Sequence, residues 1–349
     1  MRYEKVCVES FAYVLPDIII TSLSLEEKLA PVYEKLDLSS GRFEMMTGIR
    51  ERRFWNEGTR PSQVSAKAAE KAIADSGIDK DDIECLLHTS VCRDYLETAT
   101  ALIIHDYLNL PSSSTTFDIS NACIGFVNGM VTLANMIELG QVKAGIVVGS
   151  ESSRRMTEAT IHDILNDPYV TRDKLKPSFA SLTLGSGAVA AVLVHSDLSK
   201  SRHKLLGGAV RTASQHKDLC RIPNDTCFFD SAYYPNMQAD FSGILVNGLG
   251  LAADTWKAFK NELAWDNQDI NKVFTHQVSA IHQDMVFRTL DLEKSKGFAT
   301  VHYLGNIGAC SLPISTAIGI DEGLLKAGDK VTMLGIGSGL SCIMLGLEW

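Results

Sequence analysis

Two stretches of this chain pass through the same succession of elements, and that repeat limits the fold more than any other feature. A helical pattern, Ala- and Lys-rich from Ser62 to Ser76, precedes Ile78-Asp79-Lys80-Asp81-Asp82-Ile83-Glu84-Cys85, which leads into a strand-like run at 83–90. A helical pattern from Leu251 to Leu263 precedes Asp269-Ile270-Asn271-Lys272-Val273-Phe274-Thr275-His276, which does the same. Asn121 and Asn306 then stand before glycine-containing apolar helical segments, Ile124 to Leu139 and one ending near Gly323. Strands at 143–150 and 331–339 follow. Gly149-Ser150 lies 28 positions after Asn121, and Gly337-Ser338 lies 31 after Asn306. The same order at near-equal spacing predicts an internal duplication, each half built around a central helix. The alternation of strand and helix predicts an α/β layered fold. The joint falls near Ser196-Asp197-Leu198-Ser199-Lys200-Ser201, which is polar and turn-prone, so the halves are 1–196 and 197–349.

A chain of 349 residues that is 45% hydrophobic can bury a large core. Its formal net charge of −9 argues against general nucleic-acid binding, which needs a basic surface. A local basic patch for the phosphate of CoA or of a carrier protein is compatible with that charge. The start, Met1-Arg2-Tyr3-Glu4-Lys5-Val6-Cys7, has no apolar signal core, and no apolar run approaches the roughly 20 residues that span a bilayer. Eight scattered cysteines without framework spacing fit a reducing compartment. The expectation is a soluble, cytoplasmic protein. Cys85, His88 and Cys92 look metal-like, but Cys85 and His88 point to opposite faces of a strand, and no metal is expected there.

Cys123 carries the strongest chemical signal. It sits between a strand-like run, Thr115 to Ile119, and a helix that lacks charge until Glu138. A thiol at that helix's first turn would face unpaired backbone N–H groups and the positive end of the helix dipole, which stabilise a thiolate. The same N–H groups can hold the oxyanion of an attacked thioester. The competing reading is a buried structural cysteine. His276 ends a strand of the second half and Asn306 starts a helix of it. Alone, they would be a structural imidazole and an N-cap. In a pseudo-twofold fold, both can converge on Cys123.

Two regions break the repeat. Ser152–Ser181 is polar and charged, and Thr212–Asp240 is irregular. They read either as surface decoration or as caps that shape a substrate channel or subunit interface. Gly335-Ile336-Gly337-Ser338-Gly339 leaves only ten residues after it, too few for a dinucleotide fold. Gly185-Ser186-Gly187 lacks the spacing of a hydrolase nucleophile elbow and reads as a tight turn between strands.

Three motifs resemble the Cys, His and Asn motifs of the ketoacyl synthase III branch of the thiolase superfamily. They are Asn121-Ala122-Cys123-Ile124-Gly125-Phe126, Thr275-His276-Gln277-Val278-Ser279 and Gly305-Asn306-Ile307-Gly308. Thr47-Gly48-Ile49-Arg50-Glu51-Arg52-Arg53 and Gly335–Gly339 resemble the branch's terminal signatures. The resemblance runs over nearly the whole chain. It implies a duplicated five-layer αβαβα fold, an acyltransferase that forms carbon–carbon bonds, a homodimer, and no cofactor beyond acyl-CoA as substrate. Within the branch the chain is most similar to enzymes that join two fatty acyl-CoA molecules head to head. Ser90–Glu97, the run through Phe126-Val127-Asn128-Gly129-Met130, and Leu334–Leu340 carry that similarity. Enzymes that initiate fatty-acid synthesis usually have His-Gln-Ala-Asn where this chain has His276-Gln277-Val278-Ser279.

The resemblance implies a role for each residue. Cys123 takes the first acyl group as a thioester, and the backbone N–H groups of Cys123 and Ser338 form an oxyanion hole. His276 and Asn306 bind the carbonyl of the second acyl thioester. Glu97 is the base that removes its α-proton, reaching into the partner subunit's site; without the resemblance it reads as a solvated loop carboxylate. Arg50, Arg52, Arg53 and Trp55 line the CoA entrance, with plain surface charge as the competing reading. The implied reaction is a non-decarboxylative Claisen condensation giving a 2-alkyl-3-oxo acid or thioester. The alternatives are a 3-oxoacyl synthase that uses malonyl on an acyl carrier protein, and a non-catalytic acyl-binding partner subunit.

Overall fold

The structure is a computed structural model that describes residues 1–221 and 237–349. The strands among them are β1 (Val6–Val14), β2 (Ile18–Thr21), β3 (Glu51–Phe54), β4 (Cys85–His88), β5 (Thr115–Asp118), β6 (Ala144–Glu151) and β7 (Gly187–His195). They continue with β8 (Lys204–Thr212), β9 (Cys220–Arg221), β10 (Gln238–Ala239), β11 (Lys272–Thr275), β12 (Lys330–Gly337) and β13 (Ser341–Glu348). The helices are α1 (Ser22–Lys28), α2 (Ala30–Lys35), α3 (Arg42–Thr47), α4 (Pro61–Ser76), α5 (Thr100–Leu108) and α6 (Gly125–Glu138). After them come α7 (Arg154–Asn166), α8 (Arg172–Leu182), α9 (Phe241–Leu263), α10 (Ala280–Thr289), α11 (Val301–Leu304) and α12 (Ser311–Asp321).

Strand pairing repeats along the chain. The nine-stranded sheet has the order β11-β12-β13-β8-β1-β7-β6-β4-β5. On the first side β4 runs parallel to β5 and β6, while β7 is antiparallel to both β6 and β1. On the second side β11 runs parallel to β12, while β13 is antiparallel to both β12 and β8. Strands β1, β4, β6 and β7 thus have counterparts in β8, β11, β12 and β13. The place of β5 is taken by a single parallel bridge between Val273 and Gly297. The two sets meet at one antiparallel pair, Cys7 opposite Lys204.

Alternation along each strand sends side chains to two different helix layers. Leu87 and Val147 point to a central core shared with Phe126, Met130 and Leu133 of α6, Leu312 and Ile314 of α12, and Phe274, Met333 and Ile343 of the second strand set. Leu86, Ile146 and Val148 point outward to Val64 and Ala68 of α4 and Ile104 of α5. On the other outer side Val273 and Met344 meet Trp256 and Phe259 of α9 and Phe287 of α10. The result is the expected five-layer αβαβα stack with α6 and α12 in the middle. Helix α12 is buried on every side from Ser311 to Gly319, while α6 buries Phe126, Met130, Leu133 and Ile137 and leaves Asn135 exposed. Each fully buried side chain there, such as Met130 or Ile314, adds roughly 1.5–3 kcal/mol of hydrophobic stabilisation.

Three local expectations change. Helix α9 starts ten residues before the Leu251 position that the pattern indicates. Asp240 caps it by accepting from the Gly243 N–H at 3.0 Å, and Gly243, Gly248 and Gly250 dilute the apolar period there. Gly185-Ser186-Gly187 does not join two strands; it leads from α8 into β7. Polar residues and Pro177 hide α8 in the sequence. A Cβ at Gly185 would overlap the Leu304 carbonyl, so only glycine lets this backbone lie against the Asn306 segment. Third, the charged stretch 152–181 has a core of its own. Ile161, Ile164, Leu175 and Phe179 of α7 and α8 pack on Leu25, Leu29 and Phe43 of α1 and α3. In the stretch 212–240, residues 222–236 lie outside the described structure; the rest includes the short β9–β10 pair. No helix among the described residues is long and apolar enough to cross a membrane.

Candidate active site

Cys123 lies in a one-turn 3-10 helix, Ala122–Ile124, that runs directly into α6. Ala122 has φ 45°, a left-handed conformation that costs a residue with a Cβ about 1–3 kcal/mol and that recurs at functional sites. The turn aims the Cys123 side chain at the end of β12. Close approach there depends on Gly337, where a Cβ would lie 3.3 Å from the Ile124 side chain and 3.5 Å from the Cys123 nitrogen. The backbone N–H groups of Cys123 and Ser338 both act on the Cys123 sulfur. One N–H comes from each half of the chain.

The thiol's charge state differs from the sequence expectation. Burial, with the Cys220 thiol and Glu151 nearby, pushes the Cys123 thiol up to about 12, and the two N–H groups pull it down by less. Desolvation of a thiolate outweighs two dipoles even though the residue keeps some exposure to the site. Cys123 is therefore a neutral thiol at pH 7. Iodoacetamide labelling of Cys123, read by mass spectrometry, is expected to be slow at pH 7 and to rise about tenfold per pH unit through pH 9. A plateau below pH 8 would mean that the thiolate is already formed and that burial does not control it.

His276 follows β11, and its N–H donates to the Leu334 carbonyl of β12 at 2.8 Å. It is 2% exposed, and neither ring nitrogen has a hydrogen-bond partner. Burial, helped by the neighbouring His282, lowers its pKa to about 3. The ring is neutral, with one N–H free to donate. Gln277 anchors this corner by accepting from the N–H groups of Thr300 and Val301, both at 2.8 Å, and donating to the Phe298 carbonyl at 2.9 Å. Asn306 is buried, its backbone held between the Thr183 carbonyl and the Gly185 N–H at 2.9 and 2.8 Å. Its Oδ1 accepts from the Gly308 N–H at 3.0 Å and the Ser311 hydroxyl at 3.3 Å. With the oxygen occupied, the amide presents its NH2 as the free end. The 3-10 turn that follows, Gly308–Cys310, packs on the turn that carries Cys123.

Glu97 sits on the loop between β4 and α5. Two buried carboxylates, Glu151 and Asp94, and the partly buried Asp118 grip the foot of that loop. Glu151 accepts from the N–H groups of Val91 and Cys92, Asp94 accepts from the Ser62 N–H and hydroxyl, and Asp118 accepts from the N–H groups of Thr100 and Ala101. The tip, Tyr95–Thr98, is exposed, with Leu96 71% accessible. Glu97 therefore points away from the protein interior.

The four residues expected at a CoA entrance do not share a surface. Arg50 is exposed and 3.8 Å from Glu51. Arg52 is fully buried, because alternation along β3 turns it inward with Phe54; it lies over the Phe43 ring and donates to the Ser22 hydroxyl at 3.1 Å. Burial lowers its pKa to about 10. Arg53 donates to the Pro16 carbonyl at 3.0 Å, and the buried Trp55 indole donates to the Glu151 carbonyl at 3.0 Å. A cavity of about 1020 Å³ opens elsewhere, between α8, the β9–β10 pair, the start of α9 and residues 278–282. Phe179, Thr183, Leu245, Val278 and His282 line it, with Lys174 and Lys176 among its charged residues. Described residues of the segments that break the repeat thus wall a cavity that reaches Thr183, Val278 and His282.

Sequence reasoning passed over Glu151 and His282. His282 lines the cavity, and burial lowers its pKa to about 4. Glu151 had a visible signal: it is the one charge in an otherwise apolar strand end, and it holds the place of Gly339 when the two Gly-Ser pairs are aligned.

Comparison with known proteins gives matches along the whole chain. Residues 44–217 match the thiolase N-terminal domain, and residues 261–349 match the C-terminal domain of 3-oxoacyl-[acyl-carrier-protein] synthase III. An acyl-CoA:acyl-CoA alkyltransferase of Shewanella oneidensis is 41% identical, with 100% of both chains covered. A beta-ketoacyl-[acyl-carrier-protein] synthase III of Bacillus pumilus is 28% identical, with 96% of each covered. A crystal structure of Xanthomonas campestris OleA, a cysteine-to-serine variant with bound lauric acid and lauroyl-CoA, superposes with a TM-score of 0.93 at 32% identity. That match covers 99% of this chain and 100% of the other.

Proposed function

The chain belongs to the ketoacyl synthase III branch of the thiolase superfamily, and we propose that it condenses two acyl-CoA molecules head to head. The observation that carries this is the pair of backbone N–H groups, from Cys123 and Ser338, brought to one sulfur beside a neutral histidine with unused nitrogens. In the first step the Cys123 sulfur attacks the acyl-CoA carbonyl. A new C–S bond forms, the C–S bond to CoA breaks, and the thiol proton leaves with CoA as its free thiol. The two N–H groups hold the oxyanion; losing one such donor costs about 3–4 kcal/mol of transition-state stabilisation.

In the second step the carbonyl oxygen of another acyl-CoA accepts hydrogen bonds from His276 and the Asn306 NH2. A histidine held neutral by burial suits this task, since it donates without carrying charge into the site. Glu97 removes the α-proton. The carbanion attacks the Cys123 thioester, the carbon–carbon bond forms, and the leaving sulfur takes back a proton. The product is a 2-alkyl-3-oxoacyl thioester, which water converts to the acid. No carboxylate is lost, so a base is required, and Glu97 is the carboxylate on an outward-facing loop tip.

A homodimer completes that site. The sheet ends at β5, whose outer edge has no strand partner among the described residues. Phe117 on β5, Leu102 and Tyr107 on α5, and Tyr95 and Leu96 on the loop tip are exposed. An open edge strand with apolar neighbours favours pairing with a second copy, and the loop tip then enters the partner's site. The seven described cysteines are all free, which supports a reducing, cytoplasmic setting.

The deciding assay supplies one acyl-CoA, such as lauroyl-CoA, and no malonyl donor. The expected products are free CoA and a 2-alkyl-3-oxo compound found by mass spectrometry. Turnover only with malonyl on a carrier protein would replace this reading with that of a decarboxylating synthase.

A further inference from the structure

Glu151 has the environment of a working group, yet no step above uses it. It is the last residue of β6 and is 6% exposed. Its Oε1 accepts from the Val91 N–H at 3.0 Å and the Ala309 N–H at 3.3 Å, and its Oε2 accepts from the Cys92 N–H at 3.2 Å. It has no ion pair among the described residues; three backbone N–H groups and the Cys92 thiol hold the buried carboxylate. A group that costs so much to bury is poor material for packing, and an apolar side chain would fill the space more cheaply. The partners explain its presence. Val91 and Cys92 stand six and five residues before Glu97, and Ala309 stands three after Asn306. The first two belong to one half of the chain and the third to the other. Gly308, at φ 52°, brings its turn so close that a Cβ would lie 3.2 Å from the Glu151 carboxyl carbon.

We propose that Glu151 is a positioning residue that ties the loop carrying Glu97 to the turn carrying Asn306, so that the base each subunit lends to its partner is held in the frame of its own carbonyl donor for the condensation step. The proposal rests on the roles given above to Glu97 and Asn306. The tie should matter little for acylation, which uses the N–H groups of Cys123 and Ser338. The Glu151 charge works against that first step, because it raises the pKa of the Cys123 thiol, as does Cys220. The groups facing Glu151 itself are the Cys92 and Cys310 thiols and the three N–H groups. Positioning for the second step thus carries a cost in the first.

That opposition is what the test reads. Glu151→Gln keeps the size and one acceptor oxygen but turns an NH2 toward the Cys92 N–H. Glu151→Asp keeps the charge but loses reach. Steady-state condensation, single-turnover release of CoA on Cys123 acylation, thermal melting, and hydrogen exchange of 91–97 and 306–311 are measured on each. Both variants are expected to condense about tenfold slower or worse. Acylation and iodoacetamide labelling of Cys123 should hold or speed up in Glu151→Gln and not speed up in Glu151→Asp. Exchange should rise in both segments together. Condensation at the wild-type rate in Glu151→Gln would overturn the proposal. So would a parallel fall of both half-reactions with the melting temperature, and so would failure of both variants to fold, since each marks a folding residue. If the wild-type protein makes no condensation product, the functional reading fails. Joint loss of exchange protection in Glu151→Gln would then still support the tie, and unchanged exchange would remove it.

Discussion

Cys123→Ala protein is expected to fold, bind acyl-CoA and make no condensation product, a loss of at least about a thousandfold. Wild-type protein incubated with lauroyl-CoA should gain the mass of one acyl group on the peptide containing Cys123, and the variant should gain none. The substitution removes one sulfur that is partly open to the site, so stability should change by less than about 1 kcal/mol. Unfolding in urea checks that the loss is chemical. Acyl transfer to a carbanion needs an acyl group that stays in place while the second substrate arrives, and the described site offers no other sulfur between two N–H donors. Retained turnover in Cys123→Ala would mean that both acyl groups react from CoA without a covalent stage.

The second large effect separates the two half-reactions. Glu97→Gln should still take up the acyl group on Cys123 and then stall, with condensation reduced about a hundredfold or more. The adduct accumulates in this variant and is absent in Cys123→Ala. Mixing the two inactive proteins under conditions that exchange subunits should restore activity at about a quarter of the sites, because a mixed dimer has one intact site of its two. The exposed tip at Tyr95–Thr98 motivates this, since its own subunit offers Glu97 no buried partner. No recovery in the mixture, with mixed dimers present, would place Glu97 in its own subunit's site or outside the chemistry.

Much of the architecture was readable before any coordinates. The uncharged run after Cys123 became the buried helix α6, and the two Gly-Ser pairs fell at the ends of matching strands β6 and β12. The misses have one origin. Polar residues and Pro177 concealed α8, and glycines concealed the first turns of α9. In both places tertiary packing supplied what local pattern lacked: Leu175 and Phe179 meet Phe43, and Asp240 supplies the cap. Arg52 and Trp55 were expected at a CoA entrance. Strand alternation and neighbouring layers put them inside.

From its residues alone this chain declares two similar halves, a cysteine before a buried helix, and the histidine and asparagine that could meet it. Those features are local, set by periodicity, turn chemistry and order along the backbone. How far burial opposes ionisation of the sulfur, where Glu97 faces, and which N–H groups Glu151 accepts from were decided only by the assembled layers. Desolvation and hydrogen-bond partners come from residues far off in the chain, and no window of sequence contains them.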